Sequence, residues 1–577
     1  MTRRSFLRTA GGGAGAAAAQ ERGRPPNIIL ILTDDQGWFD VGVHGNPHIR
    51  TPVLDRIASE GVRFDHFYAS PVCTPTRASL MTGRHYQRTG AIDTYMGRDT
   101  LRADEVTLGQ VFQKRGYRTA LIGKWHLGRY MKYHPNRRGF DEFFGFWQYG
   151  FINRYDDSDE LFHNKQPVTI TGYITDLLTD QAISFVERSR RDPFFLYLAY
   201  NAPHSPYLVP DSFIEPYLKK GLPLAEARIY GMITCVDGNV GRLLEALGRL
   251  ALNENTVVIF MTDNGGVSRY FKAGLRGNKA SVWEGGVRVP FFVRWPGSFP
   301  AGAVVEAMAQ HIDVLPTLCE LAGVPLPEGR QIDGRSLLRL IREGRGESPH
   351  EFLFHQWNRV RPVLTSVPGD RQLAANWAVR DRRGFKLVSS GELFELTEDP
   401  GESRNVASGH PEVAGRLRWE FEKFFTGVTA SQDYRRVPIQ AGREDENPVE
   451  IDLTWGDPVG RKVRPTPRHY NRDTIDDWSE VGDSVRWRIE VVRGGRYEVT
   501  LEYGCRPEDA GSRLGIWVGG SQIEHRVEAT AGRDVFRAVA VGVLKLAPGE
   551  ATLEMKPVAI VGREVMALHK IWLKRVE

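Results

Sequence analysis

Two pairs of short polar residues, Asp34-Asp35 and Asp263-Asn264, each follow a continuous apolar run, Asn27 to Leu32 and Thr256 to Met261. Such a run fits a strand covered on both faces, so both pairs are expected at strand ends. Three carboxylates and one amide oxygen are the ligand set that hard divalent cations take. A single Asp or Asn pair after a strand is more often a turn or a helix cap than a ligand. Two echoing pairs make the cation site the better reading. Two further apolar runs, Thr119 to Ile122 and Phe194 to Ala199, lead into Lys124 and His126 and into His204. Taken singly, those three are equally well loop or turn residues. In open α/β sheets ligands bind at the carboxyl ends of the strands, so all of these groups are expected to converge.

Cys73-Thr74-Pro75-Thr76-Arg77 adds a different chemistry. Proline suits the first turn of a helix, which puts Cys73 at or near a helix N-terminus. That end carries partial positive charge and free N–H groups, and it favours an anion. By residue type alone Cys73 is either a buried structural cysteine or a thiolate nucleophile. The spacing to Arg77 is Cys-x3-Arg, which departs from the Cys-x5-Arg loop of thiolate phosphatases. Cys235, Cys319 and Cys505 lie far from it and from one another. The four cysteines have no zinc spacing and no disulfide-rich framework.

The elements that must position these groups read as an α/β domain over residues 25–349. Short apolar strands alternate there with amphipathic helices, such as Ala227 to Leu250 with Met232, Val236, Val240, Leu243 and Leu247 on one face. A small α+β unit is expected over 350–426, with short strands near 377–380, 385–388 and 393–396 and a covering helix from Pro411. Residues 427–449 are polar and aperiodic and read as a linker. Over 450–577 alternating strands separated by Gly-rich turns predict a β-sandwich, such as Val485, Trp487, Ile489 and Val491. No catalytic candidate falls in that sandwich, so it reads as a separable accessory module, either for packing or for carbohydrate binding. At the other end, residues 1–20 pair Arg3-Arg4 with Phe6-Leu7 and an Ala/Gly stretch, the pattern of a twin-arginine export signal. A periplasmic or secreted location is expected from it, with the twin-arginine machinery as a partner. A chain of 577 residues is too long for one core. Its 76 basic and 71 acidic residues are near balance, so nucleic acid is not expected as a partner. No apolar run reaches the ~20 residues that span a bilayer.

The segment from Cys73 through Thr82-Gly83-Arg84 resembles the signature of the type I, formylglycine-dependent sulfatase family. Gly116-Tyr117-Arg118-Thr119-Ala120-Leu121-Ile122-Gly123-Lys124-Trp125-His126-Leu127-Gly128 is similar to the family's second signature. Leu275-Arg276-Gly277-Asn278-Lys279 with Glu284 to Pro290, and Glu392 to Leu396 with Asp399-Pro400 and Glu402, resemble two later blocks. The resemblance covers about residues 25–426. It implies an alkaline-phosphatase-like fold with a central mixed, largely parallel sheet and a small antiparallel C-terminal subdomain. It also implies that a formylglycine-generating enzyme oxidises Cys73. One Ca²⁺, less readily Mg²⁺, would be held by Asp34, Asp35, Asp263, Asn264 and the modified Cys73. Formylglycine would act as its hydrate: one hydroxyl attacks the sulfur of a sulfate ester, and the other later loses its proton so that sulfate is expelled. By the same resemblance Arg77 and Lys124 stabilise the charged oxygens, His204 or Lys279 protonates the leaving oxygen, and His126 accepts the second proton.

The implied activity is hydrolysis of sulfate monoesters, aryl or, better suited to an exported enzyme, carbohydrate sulfates. Two alternatives remain open at the level of sequence. One is a formylglycine-dependent phosphonate or phosphodiester hydrolase of the same superfamily. The other is a non-catalytic glycan-binding protein, against which the complete residue set from Asp34 to Lys279 argues.

Overall fold

A computed structural model describes residues 24–359, 375–430, 432, 434–466 and 473–577; the export-signal reading of residues 1–20 falls outside them. The apolar runs become the middle of a ten-stranded mixed sheet. Across it lie Ala303–Val305, Val62–Phe64, Phe291–Arg294, Thr256–Thr262, Asn27–Thr33, Phe194–Ala199, Arg118–Lys124, Glu142–Phe146, Leu161–His163 and Gln166–Val168. The five strands from Thr256–Thr262 to Glu142–Phe146 are parallel, with Ile29 in register with Val258 on one side and Leu196 on the other. Every residue of Asn27–Thr33, Phe194–Ala199 and Thr256–Thr262 is buried, because both faces are covered. Ile29 and Ile31 face a core with the helices Ile174–Ser189 and Leu224–Arg249, whereas Ile28, Leu30 and Leu32 face one with Cys73–Thr82 and Val314–Leu321. At ~1.5–3 kcal/mol for each buried aliphatic side chain, these two cores hold the strand ends rigid.

A four-stranded antiparallel sheet follows, ordered Phe352–Gln356, Trp377–Asp381, Phe385–Val388 and Leu393–Glu395, and the helix Pro411–Thr429 covers it with Leu417, Phe421 and Phe425. A buried charge cluster fastens this subdomain to the large domain. The Lys386 ammonium lies 2.9 Å from Glu284 and 2.7 Å from Glu402, and the Tyr68 hydroxyl donates to Glu284 at 2.8 Å.

The last region is a sandwich of two six-stranded sheets. Ser484–Val491 alternates as its sequence predicts, with Val485, Trp487, Ile489 and Val491 buried. Two features differ from the sequence reading. The stretch 427–449 is not a free linker. The helix Pro411–Thr429 runs into it, the strand Ile439–Ala441 pairs in parallel with Ser484–Val491, and Val449–Ile451 pairs with Ala567–Arg575. Strands of three residues are too short to show a period, so composition hid them. Nor does the sandwich stand apart. Tyr130 and Tyr133 of the large domain are buried in its core cluster, and the Tyr130 hydroxyl donates to the Glu450 carbonyl at 3.0 Å. Among the described residues no helix is long and apolar enough to cross a membrane.

Candidate active site

The strand ends converge as their sequence context predicts. Ligand atoms of Asp34, Asp35, Cys73 and Asp263 all lie within 4.8 Å of one another, and all four residues are buried. Asn264 joins through its amide, which donates to Asp35 Oδ1 at 2.9 Å. The backbone N–H of Asp35 donates to Asp263 Oδ1 at 3.2 Å, so the two strand-end pairs brace each other. Asp35 sits at φ +73°, a left-handed conformation that an aspartate tolerates better than most residues.

Cys73 opens the helix Cys73–Thr82. Val72 before it is extended, Gly83 after it closes the helix at φ +67°, and all ten helical residues are buried. The thiol lies 3.4 Å from Asp34 Oδ1. Arg77, one turn on, donates from Nε and Nη2 to Asp263 Oδ2 at 3.1 and 2.9 Å, and from Nη1 to the Lys124 carbonyl at 3.2 Å. Lys124 Nζ is 2.5 Å from Asp34 Oδ2. Gly123, at φ +113°, lets the chain turn Lys124 inward: a Cβ there would lie 1.9 Å from the Ala199 carbonyl oxygen. Lys279 reaches both oxygens of Asp35, at 2.6 and 2.8 Å, and His204 Nε2 is 3.8 Å from Asp35 Oδ2.

His126 is held by different contacts. Its Nε2 is 2.8 Å from the Thr94 carbonyl, so Nε2 carries the proton and Nδ1 is left as an acceptor. That Nδ1 is buried and has no hydrogen-bond partner among the described residues. The residue takes φ +58°, and Gly150 lies over the ring so closely that a Cβ would be 2.4 Å from Nε2. His126, Cys73, His204 and Lys279 line one cleft of about 610 Å³.

The electrostatics follow from crowding. Burial by itself raises the Asp34 carboxyl, but Lys124, His204, Arg77 and Lys279 outweigh it and hold Asp34 well below the ordinary carboxylate range. Burial and then the charge of Asp34 push Asp263 up to about 7, against the pull of Arg77. Burial, followed by Asp34, pushes the Cys73 thiol up, so as a thiol it stays protonated and a poor nucleophile. Burial and then Lys124 hold His126 well below the ordinary histidine value. Burial also lowers His204, partly offset by Asp35. Burial works against the Lys279 charge too, yet Asp35 more than compensates and keeps its ammonium well above the usual range.

This donor set fits a hard divalent cation. Three buried carboxylates meet at one point, one of them is reluctant to ionise, and the buried Asn264 Oδ1 has no partner among the described residues. A cation with oxygen ligands answers all three conditions.

The structure also brings in residues that sequence reasoning missed. Thr94 fixes His126, Gly150 covers it, and Arg129 and Tyr149 line the same cleft. Asp452, Thr454, Trp455 and Asp473 of the sandwich form a further part of its wall. No local signal marks the sandwich residues, which lie more than 300 positions from Arg129 in sequence.

Comparisons with known proteins agree with the geometry. Residues 26–324 match the Sulfatase family, and residues 277–424 match the family described as N-sulphoglucosamine sulphohydrolase, C-terminal. The chain is 36% identical to N-acetylgalactosamine-6-sulfatase of Sus scrofa over 496 residues, covering 76% of this chain and 91% of that protein. It is 32% identical to steryl-sulfatase of Mus musculus over 511 residues, covering 68% and 80%. Among solved structures it is similar to Ps i-CgsB in complex with k-i-k-neocarrahexaose, with a TM-score of 0.63, 31% identity and coverage of 70% of this chain and 93% of that one. The family match extends over the segment that carries Asp34, Cys73, Lys124, His204, Asp263 and Lys279, and the chain is thereby a member of the type I sulfatase family, with its alkaline-phosphatase-like fold, and a sulfuric ester hydrolase.

Proposed function

We propose that this protein hydrolyses carbohydrate sulfate monoesters, using a formylglycine made from Cys73 and a bound Ca²⁺. The observation that carries the proposal is the meeting of Asp34, Asp35, Asp263 and Cys73 within 4.8 Å at the N-terminus of a buried helix. Asp34, Asp35, Asp263 and Asn264 would hold the cation, which supplies positive charge to the sulfate oxygens. Formylglycine supplies, as its hydrate, one hydroxyl to attack sulfur and a second whose proton is given up when sulfate leaves.

The remaining residues have atoms suited to their parts. Arg77 and Lys124 back the carboxylates and offer N–H groups to the charged oxygens. His126, with Nε2 committed to Thr94, offers Nδ1 as a proton acceptor, and its depressed basicity keeps that atom free of a proton near neutral pH. Lys279 and His204 border the cleft where the leaving oxygen would depart. Lys279 is the group that already holds a proton. His204 Nδ1 is 2.7 Å from the Ser205 carbonyl and donates to it, so His204 donates to a leaving group from Nε2 and only as the imidazolium. Sugar substrates are favoured because relatives that share this site region are named for N-acetylgalactosamine 6-sulfate and a similar structure holds a neocarrahexaose. A periplasmic or secreted location and maturation by a formylglycine-generating enzyme complete the proposal.

The test is a substrate panel run beside mass analysis of the Cys73 peptide: 4-nitrophenyl sulfate, steryl sulfate, N-acetylgalactosamine 6-sulfate, sulfated galactan oligosaccharides and a phosphonate monoester. Sulfated sugars turned over best by protein carrying the aldehyde is the expected result. Full activity in protein whose Cys73 is entirely unmodified would refute the nucleophile, and a preference for the phosphonate would refute the reaction class.

A further inference from the structure

In the small subdomain, the strands Trp377–Asp381 and Phe385–Val388 set Arg380 directly opposite Lys386. Two cations on facing positions of neighbouring strands repel, and both side chains are buried, so the pair needs anions from outside the sheet. Two buried carboxylates supply them. Glu284 of the large domain lies 2.9 Å from Lys386 and 3.6 Å from Arg380, and Glu402 lies 2.7 Å from Lys386.

Glu402 makes two further contacts, and these fall on the two ends of the segment 276–284, which carries Lys279. Its carboxylate accepts the backbone N–H of Glu284 at 2.8 Å, and its backbone carbonyl accepts Arg276 Nη1 at 3.0 Å. The segment also closes on itself. The Gly285 N–H donates to the Arg276 carbonyl at 2.7 Å, and the Arg276 guanidinium lies over the Trp283 ring at 3.6 Å. Glu402 takes φ +55°, a conformation that a glutamate keeps only where its surroundings fix it. Asp399 fixes one side by accepting the N–H groups of Ser403 and Arg404, each at 2.8 Å. On the other side Gly401 presses so close to the start of the segment that a Cβ would lie 2.9 Å from the Gly274 carbonyl oxygen.

Between the two grips the backbone carries Lys279 to the cleft. The Lys279 N–H donates to the Gly266 carbonyl at 3.2 Å, and the Ala280 N–H donates at 2.8 Å to the carbonyl of Pro71, two residues before Cys73. The ammonium then meets Asp35 at 2.6 and 2.8 Å. Lys279 lines the cleft and Glu402 does not, so Glu402 can reach the reaction only through the segment it holds.

We propose that Glu402 is a positioning residue for sulfate-ester hydrolysis: it clamps both ends of segment 276–284 and so sets the Lys279 ammonium in the cleft. The small subdomain is then part of the catalytic apparatus. This rests on the proposal that Lys279 acts on the substrate.

The test is a double-mutant cycle in the full chain carrying the aldehyde. It is read as single-turnover rates on N-acetylgalactosamine 6-sulfate, or on a sulfated galactan oligosaccharide if that is turned over faster. A reacting group misplaced by about 1 Å can cost ~10²-fold, and the contacts that Lys279 keeps limit its drift, so Glu402→Ala should lower the rate about tenfold. Elemental analysis should find the bound metal unchanged. Glu402→Gln keeps an oxygen for the Glu284 N–H and should recover most of the loss. In a Lys279→Ala background Glu402→Ala should cost less than about twofold, because residues that act as one unit are not additive. Equal losses in the two backgrounds overturn the proposal, as do full activity in Glu402→Ala and loss of its metal. Where Glu402→Ala fails to fold, Arg276→Ala breaks the other grip at a side chain that is 42% exposed. It should cost about threefold, and nothing over Lys279→Ala; no loss, or the same loss in both backgrounds, overturns the clamp. If Lys279→Ala by itself leaves the rate unchanged, the role of Lys279 fails and the clamp falls with it.

Discussion

Acidic residues crowd two places in this molecule, and their arrangement is opposite. At the strand ends Asp34, Asp35 and Asp263 point at one spot, all buried, with Arg77, Lys124 and Lys279 packed against them. Along the seam between the large domain and the sandwich, Glu450 and Asp452 are turned onto one arginine, Arg129, and spread over a partly exposed wall, and among the described residues they form no ligand cluster. Convergence and burial make the first group hungry for a cation, to the point that Asp263 rises to about 7. Pairing and solvent leave the second without that demand, since Arg129 and Lys570 already answer Glu450 and Asp452. Residue type is the same in both; what separates a candidate metal site from a cluster of ion pairs is how many oxygens share one point and how much water reaches them.

Substitution at each place separates the two roles most sharply. Asp263→Ala removes a proposed cation ligand and the partner of Arg77 together. Loss of a bound divalent cation withdraws several kcal/mol of charge stabilisation, so the rate on any sulfate ester should fall by about 10³-fold or more. Elemental analysis of the same protein should show the metal gone. Asp452→Asn should keep the metal and hold 4-nitrophenyl sulfate turnover within about threefold, since no reacting atom depends on it. Equal losses in the two variants would erase the distinction.

His204→Ala probes the boundary between them. A nitrophenolate leaves unaided, whereas a sugar alkoxide needs a proton, and general-acid help is typically worth ~10²–10⁴-fold for such basic leaving groups. The variant should therefore impair sugar sulfates far more than the nitrophenyl ester in single-turnover measurements, where slow sulfate release cannot mask the first step. Equal impairment would pass the role to Lys279, which holds its proton more firmly.

Arg129→Ala acts on the ion pairs of the seam. It leaves Asp452 without its cation and Glu450 with Lys570 alone, 4.0 Å away, at side-chain exposures of 12% and 30%. Breaking a fully buried pair costs ~3–5 kcal/mol, and the partial exposure here lowers the expectation to about 2 kcal/mol of stability. Denaturant unfolding followed at a tryptophan of the sandwich should register it, and adding Asp452→Asn should recover part of the loss. A double variant no more stable than the single one would mean that Arg129 works through packing on Tyr130 and Tyr149.

Asp34, Asp35, Asp263, Asn264, His126 and His204 were legible from residue order because each sits one to five positions beyond a buried strand, whereas Arg77 and Lys279 came from the family resemblance. Pro75 located the helix start, and the structure opens that helix at Cys73. His126 was legible as a strand-end group, but its roles for Nδ1 and Nε2 were not, since they depend on the Thr94 carbonyl and on Gly150 above the ring. The seam was invisible for a related reason. Arg129 meets Asp452 across 323 positions, and neither residue stands in a periodic or motif context that points to the other. Ile439–Ala441 was absorbed into a linker because three residues carry no measurable alternation. What sequence conveys well is chemistry tied to one element; what it conceals is chemistry made by two distant elements meeting.

The smallest expected effect is a slope of stability against pH, and it belongs to the strand-end site. In metal-free protein Asp263 titrates near 7 in the folded state, against 3.8 as its ordinary value. A carboxyl whose folded pKa is raised holds a proton in the native state that the unfolded chain has already released. Between about pH 4 and 7 the native state then binds more protons than the unfolded one, so unfolding free energy falls as pH rises. Asp34, shifted the other way, has its window below the ordinary carboxylate value and leaves this range alone. A bound divalent cation offsets the like charge of Asp34 that helps hold the Asp263 proton, so the loaded protein should lose the Asp263 part of the slope and keep the parts due to Asp40, Asp99, Asp237 and Glu446, whose carboxyls burial also raises. The rise in Tm on adding Ca²⁺ should accordingly be larger at pH 7 than at pH 5. Asp263→Asn, which cannot ionise, should make the metal-free profile shallower across the same interval. A Ca²⁺-induced shift that is the same at both pH values would show that Asp263 is already ionised without metal, and that Arg77 alone suffices to hold its charge.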